Sequence, residues 1–184
     1  MLKKRPPERP RRPSPIIVRP APGNSCRALV SVGGRVEQAA IGRGGRTALK
    51  REGDGATPIA AMSLLSGYVR RDRLVPPVTR LPLATLRPGF LWCDAPGHAA
   101  YNRPAHRPLS VSHETMTRTD GLYDICLVMD WNIRARRRNA GSAIFFHLIR
   151  PGYLPTEGCI AVSLPAMRRI LKVARRGTVV RVVG

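Results

Sequence analysis

Two stretches of the chain are almost continuously apolar, 123–131 (YDICLVMDW) and 143–149 (AIFFHLI). Apolar runs of this length without polar alternation predict central strands buried on both faces. Shorter alternating or apolar runs predict further strands at 15–19, 27–32, 35–41, 62–70, 81–86 and 178–183. Gly33-Gly34 reads as a hairpin turn and 42–45 as a tight turn. The segment KREGDGATP (50–58) is a loop, 94–108 is polar and rich in Pro and Gly and predicts a long surface loop, and 134–139 is a basic connection. One helix stands out. Ser163 can cap it and Pro165 suits its first turn. Ala166, Ile170, Leu171 and Ala174 share one face, Arg168, Arg169, Lys172 and Arg175 take the other, and Gly177 is the expected stop. The pattern as a whole predicts a mainly β domain with one clear helix.

At 184 residues and 43% hydrophobic composition, the chain is long enough for one domain with a real core. Residues 1–13 (MLKKRPPERPRRP) hold almost nothing apolar and read as a disordered basic tail, leaving 14–184 as the folded domain. There is no apolar run of signal-peptide or transmembrane length, so neither a leader nor a membrane span is expected in this sequence. The charge changes the picture more. Thirty-two Lys and Arg face 11 Asp and Glu, for a formal net charge of +21. Such a field favours a polyanionic partner, either nucleic acid or an anionic cell-envelope surface. The basic residues are spread along the chain, there is no zinc-finger spacing or glycine-aromatic RNA-binding signature, and aromatic residues make up only 5%. These features argue against specific nucleic-acid recognition.

The four cysteines, Cys26, Cys93, Cys126 and Cys159, include no C-x-x-C pair. Cys126 lies in an apolar run and reads as core, while Cys26 and Cys93 could pair in an oxidising compartment. His98, His106 and His113 lack acidic or cysteine neighbours at ligand spacing, so no metal is expected. The remaining pair carries chemistry. His147 sits inside a predicted strand, and Cys159 follows twelve positions later, directly after Gly158 and before another apolar run. An imidazole on a rigid strand can take a thiol proton, and a glycine turn can leave the Gly158 and Cys159 N–H groups facing an oxyanion. That combination points to acyl transfer. The alternative from residues alone is a buried histidine and an inert core thiol.

The segment 143–162 resembles the catalytic motif of the YkuD-type L,D-transpeptidases, in which a strand histidine precedes Ser/Thr-His-Gly-Cys and an apolar residue. Thr156, Gly158, Cys159 and Ile160 match, with His147 upstream; Glu157 stands in place of the usual His and Ala161 in place of the usual Arg or Asn. KREGDGATP is similar to the Asp-Gly-x-Thr-Pro segment of the family. Trp92-Cys93-Asp94, Tyr101-Asn102-Arg103, Ser112-His113-Glu114 and 120–124 (DGLYD) resemble a proteobacterial subgroup. The likeness covers about 25–184.

The resemblance implies a twisted β-sandwich with a helix packed against it. It also implies a cofactor-free enzyme with Cys159 as nucleophile and His147 as general acid and base, acting on peptidoglycan stem peptides to form cross-links through a thioester. Within it, Arg150, Tyr153, Thr156 and His113 are the expected substrate contacts; Arg150 is the carboxylate partner, and His113 could instead orient His147. Glu157 would raise the thiol pKa unless it points away or pairs with Arg150. The implied location is the periplasm or cell envelope, which the bare N-terminus meets most simply if translation starts further upstream. An L,D-carboxypeptidase or cross-link hydrolase with the same nucleophile, and a basic nucleic-acid-binding module with an inert thiol, are the competing readings.

Overall fold

The structure is a computed structural model that describes residues 14–184; the basic tail expected at 1–13 lies outside the described residues. Strands β1 (Ile16–Ala21), β2 (Asn24–Val32) and β3 (Arg35–Ala40) form an antiparallel meander, with Gly33 and Gly34 at positive φ in the second turn. The short strands β4 (Arg46–Thr47) and β5 (Thr57–Pro58) pair in parallel around the 50–56 loop. Next come β6 (Ala61–Val69) and β7 (Leu83–Thr85), then β8 (Phe90–Cys93), β9 (Arg103–His106) and β10 (His113–Thr115). The chain closes with β11 (Ile125–Met129), β12 (Phe145–Leu148), β13 (Ile160–Val162), helix α1 (Leu164–Val173) and β14 (Val179–Val182). The domain is mainly β with one α-helix, the class that the hydrophobic pattern predicts.

The main sheet runs β11-β12-β13-β3-β2-β1-β14-β6-β7, and β11 also pairs with β6. The sheet therefore curls until eight strands close on one another, and β7 hangs on β6. Closure leaves few free edges and encloses a dry interior. That interior holds Ile16, Val18, Val30, Leu64, Leu127, Phe146, Ile160 and Val180, all fully buried. The helix supplies Ala166, Met167, Ile170 and Leu171 to the same core.

Three expectations need correction. The 94–108 stretch is not only a loop, because β9 pairs with β8, and β10 flanks β8 on its other side as a separate three-stranded sheet. Its residues are mostly exposed, so the ladder rests on main-chain bonds and carries little hydrophobic pattern. The helix ends at Val173, before Gly177. Ala174 is extended, and the Arg175 N–H donates to the Thr178 hydroxyl (3.0 Å), which turns the chain toward β14. The N-terminal reading holds: Ser163 Oγ accepts from the Ala166 N–H. All four cysteines are free thiols. Cys26 Sγ lies 3.5 Å from the Arg43 carbonyl and Cys93 Sγ 3.7 Å from His98 Nδ1, so the pairing considered for these two is not formed.

Candidate active site

Strands β12 and β13 run parallel, with Phe146 opposite Ile160 and His147 opposite Ala161. Side chains alternate across a strand. Phe146, Ile160 and Val162 therefore enter the core with the helix, while Phe145, His147, Cys159 and Ala161 face the other way. On that outer side a cleft of about 240 Å³ opens, and both His147 and Cys159 line it. Its walls carry Lys50, Arg118 and Arg150 as well as Glu52, Asp94, Glu114 and Glu157.

The thiol is held by main chain. Cys159 Sγ donates to the Ala143 carbonyl (3.2 Å) and accepts from the Phe145 N–H (3.3 Å). The turn before it is locked by Thr156, whose hydroxyl donates to the Cys159 carbonyl (2.7 Å) and accepts from the Gly158 N–H (3.2 Å). Gly158 has φ 122°, and a Cβ there would stand 2.9 Å from the Ala56 carbonyl oxygen. Only glycine fits that approach. The 50–58 loop braces the turn from below. Thr57 Oγ1 donates to the Cys159 carbonyl (3.3 Å) and accepts from the Gly42 N–H (2.9 Å). Asp54 organises the loop itself, accepting from the Arg51 N–H (2.8 Å), the Ala56 N–H (2.9 Å) and the Lys50 ammonium.

The imidazole is also fixed. His147 Nδ1 lies 2.7 Å from the Leu148 carbonyl. A carbonyl only accepts, so Nδ1 carries the proton and Nε2 keeps its lone pair. The Tyr123 ring meets His147 edge-on, with centroids 5.2 Å apart. The Tyr123 hydroxyl donates to Glu114 Oε2 (3.3 Å), and Arg118 lies 3.8 Å from the same carboxylate. Burial lowers the His147 pKa to about 4, opposed by its bond to Leu148. Burial likewise pushes the Cys159 thiol up to about 12; the Phe145 N–H and the Lys50 charge oppose this, and Glu114 and Glu157 add to it. At rest both groups are neutral. The arrangement is that of a protonated sulfur and an unprotonated base lining one cleft with charges of both signs.

A family model described as the L,D-transpeptidase catalytic domain, YkuD, matches residues 23–182. The chain belongs to the YkuD family. No curated protein and no solved structure matches it. The match spans both loops that hold the thiol, the strand that carries the imidazole, and the helix behind them.

Within this YkuD domain the sequence-derived candidates divide. Cys159, His147, Arg150 and Thr156 all line the cleft. Thr156 has its hydroxyl committed to closing the turn, and the Gly158 N–H is spent on that hydroxyl rather than left open for an oxyanion. His113 is not among the cleft residues: it stands opposite Cys93 on β10, with Nδ1 2.7 Å from the Val111 carbonyl. Its neighbour Glu114, pointing the other way along the strand, is the one that reaches the cleft. Tyr153 also turns away. Arg27 lies over its ring at 4.7 Å and donates to the Gly152 carbonyl (3.0 Å), which ties the 150–153 turn to β2. Glu157 pairs with Arg43 at 2.7 Å rather than with Arg150.

Lys50, Arg118 and Tyr123 went unassigned in the sequence. Lys50 heads the KREGDGATP segment, and its side chain is only 3% exposed. A lysine at the head of a loop rich in glycine and acids was the available signal. Arg118 had none.

Proposed function

We propose that this YkuD domain is a cysteine-dependent L,D-transpeptidase that cross-links peptidoglycan stem peptides through a thioester on Cys159. One observation carries the reading: His147, on β12 with its Nδ1 bound to the Leu148 carbonyl, and Cys159, immediately before the parallel strand β13, line one cleft. With the thiol near 12 and the imidazole near 4, a standing thiolate–imidazolium pair is disfavoured. His147 therefore removes the proton as sulfur attacks, acting as a general base in the bond-forming step.

The attacked carbon is the carbonyl at the L-centre of diaminopimelate. The carbonyl electron pair moves to oxygen, then returns as the C–N bond to the terminal residue breaks, and His147 gives its proton to the departing amine. The Gly158 N–H is committed, so the Cys159 N–H is the backbone donor left for the oxyanion. An amine of a second stem then attacks the thioester, passes a proton through His147, and releases the Cys159 thiol. Arg150 and Arg118 suit stem-peptide carboxylates, and Glu114 and Asp94 suit ammonium groups. The substrate sets the location, outside the cytoplasm at the anionic envelope surface. Among the described residues no helix is long and apolar enough to cross a membrane.

The test is intact-mass and peptide mapping after incubation with purified tetrapeptide muropeptides. The expected result is an acyl adduct on the Cys159 peptide and a cross-linked dimer. An adduct that yields only shortened monomer makes water the acceptor and the protein an L,D-carboxypeptidase. No adduct on the wild-type chain overturns the reading.

A further inference from the structure

The 70–80 loop and the end of α1 meet on the surface. The loop is anchored at both ends. Leu74 packs against the main core, its N–H donates to the Arg70 carbonyl (2.9 Å), and Leu81 is buried. At the far end Thr79 Oγ1 lies 3.5 Å from the Ala174 carbonyl and accepts from the Leu81 N–H (3.1 Å), while Arg80 bridges to Arg175 through main chain. Between these anchors, on either side of Pro76-Pro77, Val75 is 83% exposed and Val78 is 92% exposed. Val173, in the last turn of α1, adds a third exposed valine.

Single exposed apolar side chains need no explanation, but an anchored loop tip of them on segments rich in exposed cations does. Arg71, Arg80, Arg168, Lys172 and Arg176 are all exposed on these two segments. Residues 163–184 contain no Asp or Glu. Asp72 is the one carboxylate in the 70–80 loop, and both its oxygens accept from Arg70 (2.8 and 2.6 Å).

We propose that this face docks on a bilayer of anionic lipids, with Val75 and Val78 entering the interfacial layer and the basic side of α1 lying on the headgroups. Charge complementarity selects an anionic partner, and the held-out valines select one with an apolar layer beneath its charge. A soluble polyanion satisfies the cations and leaves the valines in water. The helix packs on the opposite side of β12 and β13 from the cleft, so docking leaves the cleft open. The proposal stands whether or not Cys159 proves to be a nucleophile.

Sedimentation of the full chain with vesicles tests it. The expected result is binding to phosphatidylglycerol–phosphatidylcholine vesicles and none to phosphatidylcholine alone. The V75S/V78S double variant should bind about tenfold more weakly, and R168Q/K172Q/R176Q roughly a hundredfold more weakly. A V78W variant should show a blue-shifted emission quenched by brominated lipid, a reading independent of the stability of the other variants. Failure of the wild type to sediment with anionic vesicles overturns the proposal. So does unchanged binding by a folded V75S/V78S variant, which would assign the cations to a soluble polyanion such as nucleic acid or a wall polymer.

Discussion

The two sides of β12 and β13 are almost equally buried and do opposite things. On the inner side Phe146, Ile160 and Val162 are fully buried against α1. On the outer side Phe145, His147, Cys159 and Ala161 are 0%, 5%, 7% and 1% exposed. Burial of an apolar group stabilises the fold, whereas burial of a titratable group penalises its charged form. The same exclusion of water therefore gives stability on one side and a thiol and imidazole held neutral on the other. The lesson is that depth alone does not separate a core position from one that lines a cleft. The difference lies in what borders it: a helix on one side, an open cleft with charged walls on the other.

The largest effects should come from the outer side. Cys159→Ala is expected to abolish muropeptide turnover, and His147→Gln to lower it by about 10²- to 10⁴-fold, both with far-ultraviolet circular dichroism unchanged. Cys126 stands opposite His147 on β11, yet Cys126→Ala should retain turnover and cost only stability. Wild-type rates in Cys159→Ala would break the comparison outright. On the inner side, Phe146→Ala should cost about 3–5 kcal/mol of unfolding free energy, read from urea denaturation, while the remaining folded protein still acylates at Cys159.

Next in size is the pH dependence of stability. The His147 pKa is lowered by burial from 6.5 to about 4. Above pH 6.5 the group is neutral in both states. As pH falls the unfolded chain takes the proton first, so stability is lost between about pH 6.5 and 4, approaching roughly 3 kcal/mol. Urea midpoints measured across that range should fall more steeply for wild type than for His147→Leu. Equal slopes would mean that the imidazole is not sealed. A smaller effect is expected for Thr57→Val, which strips the brace between Gly42 and Cys159 and should cost about 1–3 kcal/mol together with a drop in kcat. The smallest belongs to His113→Ala: with its ring on the far side of β10, turnover should stay near wild type, and a loss comparable to that of His147→Gln would return His113 to the site.

Much of this was legible in the sequence, for physical reasons that differ by element. The strands β11 and β12 announce themselves because both are buried along nearly their whole length, so every position but His147 is apolar. The strands β9 and β10 do not, because β9 is mostly exposed and β10 is short, polar and half-buried, which leaves both to main-chain pairing. His147 and Cys159 were readable because a strand histidine and a glycine-preceded cysteine are local patterns. The cleft walls come from separate segments, so Arg118 gave no sign of its place, and Glu157 found Arg43 rather than the nearby Arg150. Tyr153 was placed in the cleft by proximity along the chain. Arg27, from a distant strand, holds it elsewhere.

The parallel pairing of β12 with β13 has a further consequence. His147 lies on β12 and Cys159 immediately precedes β13, and the two strands are paired, so the sulfur is placed by β13 and the 156–159 turn, and the 150–155 part of the connection does not set its distance from the imidazole. Arg150, Leu154 and Pro155 of that part line the cleft. Changes of length there are expected to reshape the cleft while His147 and Cys159 keep their spacing. Under the proposed function, donor selectivity and reaction chemistry would then be separable parts of the fold.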